Sequence, residues 1–254
     1  MLKRSLVGLI AYLIIAGASF AAEEVDLELV LLADSSGSID ADELQLQREG
    51  YADALRHPQV LNAIAKGARG RIAVTYVEWA DALHQNVLVP WMIIDGAQSA
   101  SRFAAALRDR PRLAWGANAI GAAIAKAQSL IETNEFEGER RVIDFSGDSA
   151  NNWNGISIAA ARSAALAAGI VINGLAITCR DLGCSGRPMG YDLEDAFART
   201  IIGGAGSFVV TADGKTSFEE AVRRKLVLEI AFLPAVEHSV PAAGRRRGDL
   251  PSER

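Results

Sequence analysis

The sequence is poor in the residues that build metal and redox centres by the commonest routes. It has three histidines, His57, His84 and His238, scattered without ligand spacing, and two cysteines, Cys179 and Cys184. Structural zinc draws on clustered Cys and His, and no such cluster is present. The cysteines lie in "TCRDLGCSG", too far apart for a redox pair with two intervening residues. They read as a local loop disulfide, with a redox pair or half a metal site as the alternatives. Positive charge is also in deficit. Lys and Arg number 26 against 31 Asp and Glu, a formal net charge of −5. Nonspecific nucleic-acid binding needs basic surface, so that class is set aside. There are no internal repeats, and beyond the first twenty or so residues no apolar run is long enough to cross a membrane.

The amino terminus, "MLKRSLVGLIAYLIIAGASFAA", carries Lys3 and Arg4, then an apolar run from Leu6 to about Ala18, then small residues. This is the layout of a secretory signal over residues 1–21, with Ser19-Phe20-Ala21 as the cleavage site. An uncleaved membrane anchor is the alternative, and no Cys follows the run to carry lipid. The protein is therefore expected to be exported, periplasmic or secreted. That compartment is oxidising and favours the disulfide.

The remaining chain alternates strand-like apolar runs with helical periodicity. Strands are expected at 25–33, 71–80, 84–94, 140–147, 170–177 and 207–212. Helices are expected at 40–65 with a break near Pro58, and at 97–109, 118–133, 155–168, 193–202 and 217–231. Strands alternating with helices imply an α/β fold: a Rossmann-like, doubly wound, mostly parallel six-stranded sheet with helices on both faces. Only three residues separate the second and third strands, so they form a hairpin with 84–94 as an antiparallel edge strand, where Pro90 is tolerated. The domain spans 22–232. Residues 233–254, rich in Pro, Gly and charge, read as a disordered tail, in which Arg247-Gly248-Asp249 reads as a chance match to an adhesion tripeptide.

In such a sheet, ligands bind at the carboxyl ends of the parallel strands. The first strand runs straight into "ADSSGSID" (33–40), which delivers Asp34, Ser36 and Ser38 to that edge. A helix cap needs only one of these oxygens, and Ser38 or Asp40 supplies it. A serine nucleophile needs a base, and neither G-x-S-x-G nor S-x-x-K surrounds these serines. An aspartyl-phosphate phosphatase would want D-x-D, but Ser36 stands at the second position. A hard divalent cation uses all of them: it takes about six oxygens and keeps waters. Strand 140–147 brings Asp148 to the same edge, and the two carboxylates balance the ion's charge. A partner carboxylate can fill an open position.

Asp34-x-Ser36-x-Ser38 after a buried strand resembles the metal-ion-dependent adhesion site of von Willebrand factor type A domains, and the order of elements over about 25–231 looks like that fold. In "GANAIG", Asn118 falls where that family has Thr. In "FSGDSANN", Asp148 falls on the family's aspartate, with one glycine added. "RRVIDFSGDSANN", with the leader, looks like a secreted bacterial subfamily of uncharacterised function. The resemblance implies a binding module, not an enzyme. It would hold Mg²⁺, or Mn²⁺ or Ca²⁺, through Asp34, Ser36, Ser38, Asn118 and Asp148, and engage a protein partner through a carboxylate. Asn118 is the departure: it ligates the ion, directly or through water, or it caps the helix that follows. The alternatives are a metal-dependent hydrolase, which would need a general base although no His lies on the motif loops, and a structural domain whose metal site has weakened. Trp115 and Trp153, beside the site loops, read as partner anchors or as packing. Asn151 and Asn152 read as hydrogen-bonding or turn residues. Asp144 reads as structural, paired with Arg140 or Arg141 or facing a backbone amide.

Overall fold

The computed structural model describes residues 22–108, 110–178, 190–213 and 215–231. The expected signal (1–21), the pair Cys179 and Cys184, and the tail (233–254) lie outside the described residues.

Six strands, β1 (Glu23–Asp34), β2 (Ile72–Trp79), β3 (Gln85–Ile94), β4 (Phe136–Gly147), β5 (Val171–Ile177) and β6 (Val209–Ala212), form one sheet in the order β3-β2-β1-β4-β5-β6. Among the described residues, the β2–β3 pair is the one antiparallel pairing between these strands. From β1 the chain builds outward through β2 to β3, then returns to place β4 on the other side of β1. The strand order therefore reverses between β1 and β4, which is where an open α/β sheet offers a crevice.

The alternation of β1 divides the core. Leu27, Leu29 and Leu31 face α1 (Ala41–Arg56), α2 (Pro58–Ala65), α3 (Ala97–Leu107) and α7 (Lys215–Ala231). Val30 and Leu32 face α4 (Ile120–Glu132), α5 (Ile158–Ala167) and α6 (Leu193–Thr200). Both faces are covered, as continuous apolar parallel strands require. Pro58 starts α2 and holds His57 extended (φ −67°, ψ 137°), which separates α1 from α2. Pro90 sits on the edge strand as expected, beside irregular register between β2 and β3. There the Thr75 hydroxyl donates to the Val89 carbonyl at 2.8 Å.

Two corrections emerge. β4 begins at Phe136, four residues before its expected start, because "FEGE" pairs with the first residues of β1. Glu28 anchors this extension, accepting from the Gly138 amide (2.8 Å) and the Asn134 side chain (2.6 Å). Asp144 does not pair with Arg140 or Arg141. The Arg140 guanidinium donates to the Glu229 and Ile230 carbonyls, and Arg141 to the Ala168 carbonyl. Asp144 is fully buried, 2.8 Å from the Lys225 ammonium on α7, and accepts from the Tyr51 hydroxyl at 3.0 Å. Lys225 also pairs with Glu229 one turn on, and Asn173 donates to the same Glu229 oxygen at 3.0 Å. One ammonium thus faces two carboxyl groups in the core.

Candidate metal site at the carboxyl edge

The β1–α1 loop shows which residue caps the helix that follows. Asp40 is the N-cap of α1. Its carboxylate accepts from the Glu43 amide and Glu43 returns a bond from the Asp40 amide, both 2.9 Å, a reciprocal capping box. Ser38 is thereby released from capping, and its hydroxyl lies 3.2 Å from the Ser36 hydroxyl. Asp34 is completely buried at the end of β1. One of its oxygens accepts from the Ser36 amide at 2.8 Å. The other, Oδ2, is buried without a hydrogen-bond partner. The Gln47 side chain pins the Asp34 carbonyl from α1 at 2.9 Å.

Asp148 follows β4 directly and approaches from the neighbouring strand. Its carboxylate bonds the Ser38 hydroxyl, while Oδ1 is buried and unpartnered. Gly147 permits the approach: a Cβ there would come within 3.1 Å of Asp34 Oδ2 and 3.2 Å of the Trp79 ring. Burial, then the Asp148 charge, push the Asp34 carboxyl up to about 8, and burial raises Asp148 as well. Two carboxyl groups, Asp34 fully buried and Asp148 half-buried, each leave one oxygen without a partner beside two hydroxyls. The oxygens gathered here, from Asp34, Ser36, Ser38 and Asp148, are all hard donors, the set that would suit Mg²⁺, Mn²⁺ or Ca²⁺.

The loop between α3 and α4 forms the second wall. Arg112, not anticipated from sequence, donates to the carbonyls of Ser35 (2.6 Å), Ser36 (2.7 Å), Ile39 (2.9 Å) and Ala114 (3.1 Å). It ties the motif loop to its own loop. Arg48 on α1 bonds the buried Glu78 at 2.7 Å and reaches the carbonyls of Arg110 and Pro111. Gly116 has φ +110°, and a Cβ there would meet the Asp81 carboxylate at 2.4 Å, so only glycine fits this turn. Its carbonyl receives the Gly37 amide at 2.9 Å. Asn118 is buried on this loop, and its carbonyl accepts from the Trp153 amide at 2.7 Å. It does not cap α4. The N-cap is Ala119, with no side-chain cap bond. Asn152 does that work: its side-chain oxygen accepts from the Gly121 amide at 3.0 Å, and its amide group donates to the Asn154 and Ile156 carbonyls.

Trp115 and Trp153 are 51% and 71% exposed on the loops beside Asn118, so neither is a core packing residue. The other two tryptophans differ. Trp79 is buried, stacked on Phe145, and donates to the Ser146 carbonyl, while Trp91 lies on the edge strand. His84, remote from the motif in sequence, joins this edge on the β2–β3 turn. It is held by Asp81 at 3.0 Å and packs edge-on against Trp115. A cavity of about 740 Å³ opens at the opposite, amino-terminal edge of the sheet, lined by Glu28, Arg140 and Glu229.

Residues 24–234 match a family described as a protein of unknown function, DUF1194. The chain belongs to this family. No curated protein matches the chain. Among solved structures, the chain is similar to proximal thread matrix protein 1 of the mussel byssus (13% identity, TM-score 0.58, 83% of this chain and 49% of that one). It is also similar to the pilus adhesin SpaC of Lactobacillus rhamnosus GG (12%, 0.56, 82% and 31%). A third likeness is to the vWF domain of the type V pili tip protein Mfa5 of Porphyromonas gingivalis (10%, 0.53, 89% and 98%). Another structure of the mussel protein carries a zinc-occupied MIDAS motif (16%, 0.55, 83% and 46%). The chain thus spans about half of the mussel protein and about a third of SpaC. These likenesses establish a von Willebrand A-like fold.

Proposed function

We propose that this protein is an exported von Willebrand A-like binding module that grips a protein partner through a divalent cation. The ion would be held by Asp34, Ser36, Ser38 and Asp148, with Asn118 on the same wall. It would supply an electrophilic centre for a partner's oxygen, most simply a carboxylate. The chain's own residues do the rest: Arg112 and the Asp40–Glu43 box fix the loop backbone, and Gly147 lets the two aspartates share one site. The observation that carries the reading is the pair of buried, unpartnered oxygens, Asp34 Oδ2 and Asp148 Oδ1, beside hydroxyls 3.2 Å apart. The zinc-occupied motif of the mussel protein and the pilus-tip setting of Mfa5 are consistent with it. On this reading the domain is residues 22–232 and the leader is removed on export, so the exported chain begins near residue 22.

The test is metal titration of chelator-treated protein, followed by calorimetry and by thermal unfolding. Wild type is expected to gain stability saturably with Mg²⁺, and Mn²⁺, Ca²⁺ and Zn²⁺ rank the site's preference. Asp34→Ala is expected to show no response. If wild type fails to respond to all four ions, the reading is wrong. Mg²⁺-dependent turnover of p-nitrophenyl phosphate or acetate would replace it with a hydrolase.

A further inference from the structure

The exposed large apolar side chains are not spread over the surface. Among the described residues they are Leu83, Leu113, Trp115, Trp153, Ile156 and Tyr191. Every one lies on a loop at the carboxyl edge of the sheet. Leu83 is on the β2–β3 turn, Leu113 and Trp115 are between α3 and α4, Trp153 and Ile156 between β4 and α5, and Tyr191 just before α6. The loops are stitched into one surface. The Asp81 amide donates to the Trp115 carbonyl, and Asn86 to the Leu113 carbonyl at 2.7 Å. The Ala82 amide donates to the Asn154 side chain at 3.1 Å, and the Ala150 amide to the Tyr191 hydroxyl at 3.2 Å. Gly155, at φ +73°, would bring a Cβ within 3.2 Å of Ala82, so the β4–α5 loop lies directly on the β2–β3 turn. Scattered exposed apolar residues are ordinary, but a contiguous group on the order of several hundred Å² marks a contact surface.

The edge is also lopsided. The apolar residues crowd the side from which α4 and α5 begin. The other side of the Asp34 loop carries the start of α1, with exposed Asp40 and Asp42. A tryptophan held out in water beside a charged site is the composition of an interface anchor. We infer that this collar is the specificity surface of the site, and that its occupant is a polypeptide segment whose acidic side chain is flanked on one side by large apolar residues. The acid faces the Asp34–Asp148 centre and the apolar residues lie on Trp115, Trp153 and Leu83. Asp40 and Asp42 favour a basic or neutral residue on the opposite flank and repel a second acid there. The inference rests on the proposed metal-dependent reading and adds to it what the partner looks like.

The experiment uses a displayed library of random linear octapeptides, selected on the protein in Mg²⁺ and counter-screened on Trp115→Ala, Trp153→Ala and Asp34→Ala. Expected winners carry Asp or Glu with bulky apolar neighbours on one side only. Their binding falls about tenfold or more in Trp153→Ala, while the Mg²⁺ response of that variant is unchanged. Winners with an acid but no apolar preference overturn the collar and leave the metal-dependent reading standing. Apolar winners indifferent to chelator and to Asp34→Ala overturn the metal-dependent reading. Absence of winners overturns a peptide occupant. Binding to neutral phosphatidylcholine vesicles, or self-association by sedimentation, lost in Trp153→Ala, reassigns the collar to lipid or to a second copy.

Discussion

Glu229→Gln tests the charge imbalance in the core. Glu229 is buried on α7, beside Asp144, and shares with it the one Lys225 ammonium. Its Oε2 has no partner. Burial, then the Asp144 charge, push the Glu229 carboxyl from its ordinary 4.5 up to about 8, and Lys225 and Asn173 recover only part of this. The sign follows. Between 4.5 and 8 the folded state holds a proton that the unfolded state has released, so Glu229 lowers stability progressively as pH rises through that window. Its full stability is present only below the unfolded value. Gln keeps an Oε1 acceptor for Lys225 and Asn173 and cannot ionise. The amide that replaces Oε2 costs about 1–3 kcal/mol if unpaired, but this offset is independent of pH. The diagnostic is therefore the change with pH: relative to wild type, Glu229→Gln gains about 4 kcal/mol between pH 5 and pH 8.5. Urea unfolding of both proteins across that range, in chelator, measures it. For a domain of this size the gain corresponds to about 8–16 °C in Tm. A difference that stays flat with pH refutes the reasoning and shows that Lys225 neutralises both carboxylates.

Two further substitutions probe the architecture of the site. Arg112→Lys removes a planar fork that reaches four carbonyls and replaces it with a point charge that cannot span them. The expected cost is about 2 kcal/mol in urea unfolding, with a weaker Mg²⁺ response, because the Ser36 and Ser38 hydroxyls lose their fixed backbone; an unchanged response in a destabilised protein would reduce Arg112 to a structural tie. Gly121→Ala would set a Cβ 2.1 Å from the Ile156 carbonyl oxygen, which is backbone and cannot rotate away. It is expected to cost about 2–3 kcal/mol and to displace the β4–α5 loop, read as a shift in the emission of Trp153. Unchanged stability and emission would mean that this loop yields freely and does not hold Trp153 in place.

What the sequence disclosed and what it withheld divide by the range of the interactions. β1, β2, β3 and β5 are apolar runs and the helices are periodic, so each announces itself within a dozen residues. The hairpin followed from a short connection. The first residues of β4 did not, because "FEGE" has no apolar alternation and becomes a strand only by pairing with Glu23, Glu24 and Val25. The site divides in the same way. Asp34, Ser36 and Ser38 are legible as a cluster because one loop carries all three, and Asp148 because the carboxyl ends of parallel strands share one edge of the sheet; that β4 lies directly beside β1 is visible only in the fold. Gly37, which looks like the residue that keeps that loop tight, is dispensable on steric grounds: a Cβ there would meet the Gly116 carbonyl at an ordinary 3.5 Å. The glycines the site needs are Gly116 and Gly147, where a Cβ would press on Asp81 or on Asp34. Arg112 reads as one more charge in "RPRLAWG", and nothing nearby in the chain marks the carbonyls it gathers. Asn152 and Asn118 present the same side chain, and only the fold shows that Asn152 satisfies the start of α4. That assignment matters for the proposed ion. A cap would have turned Asn118 away from the metal wall, and with the α4 amide already satisfied from the β4–α5 loop, Asn118 is not needed there and can face the site.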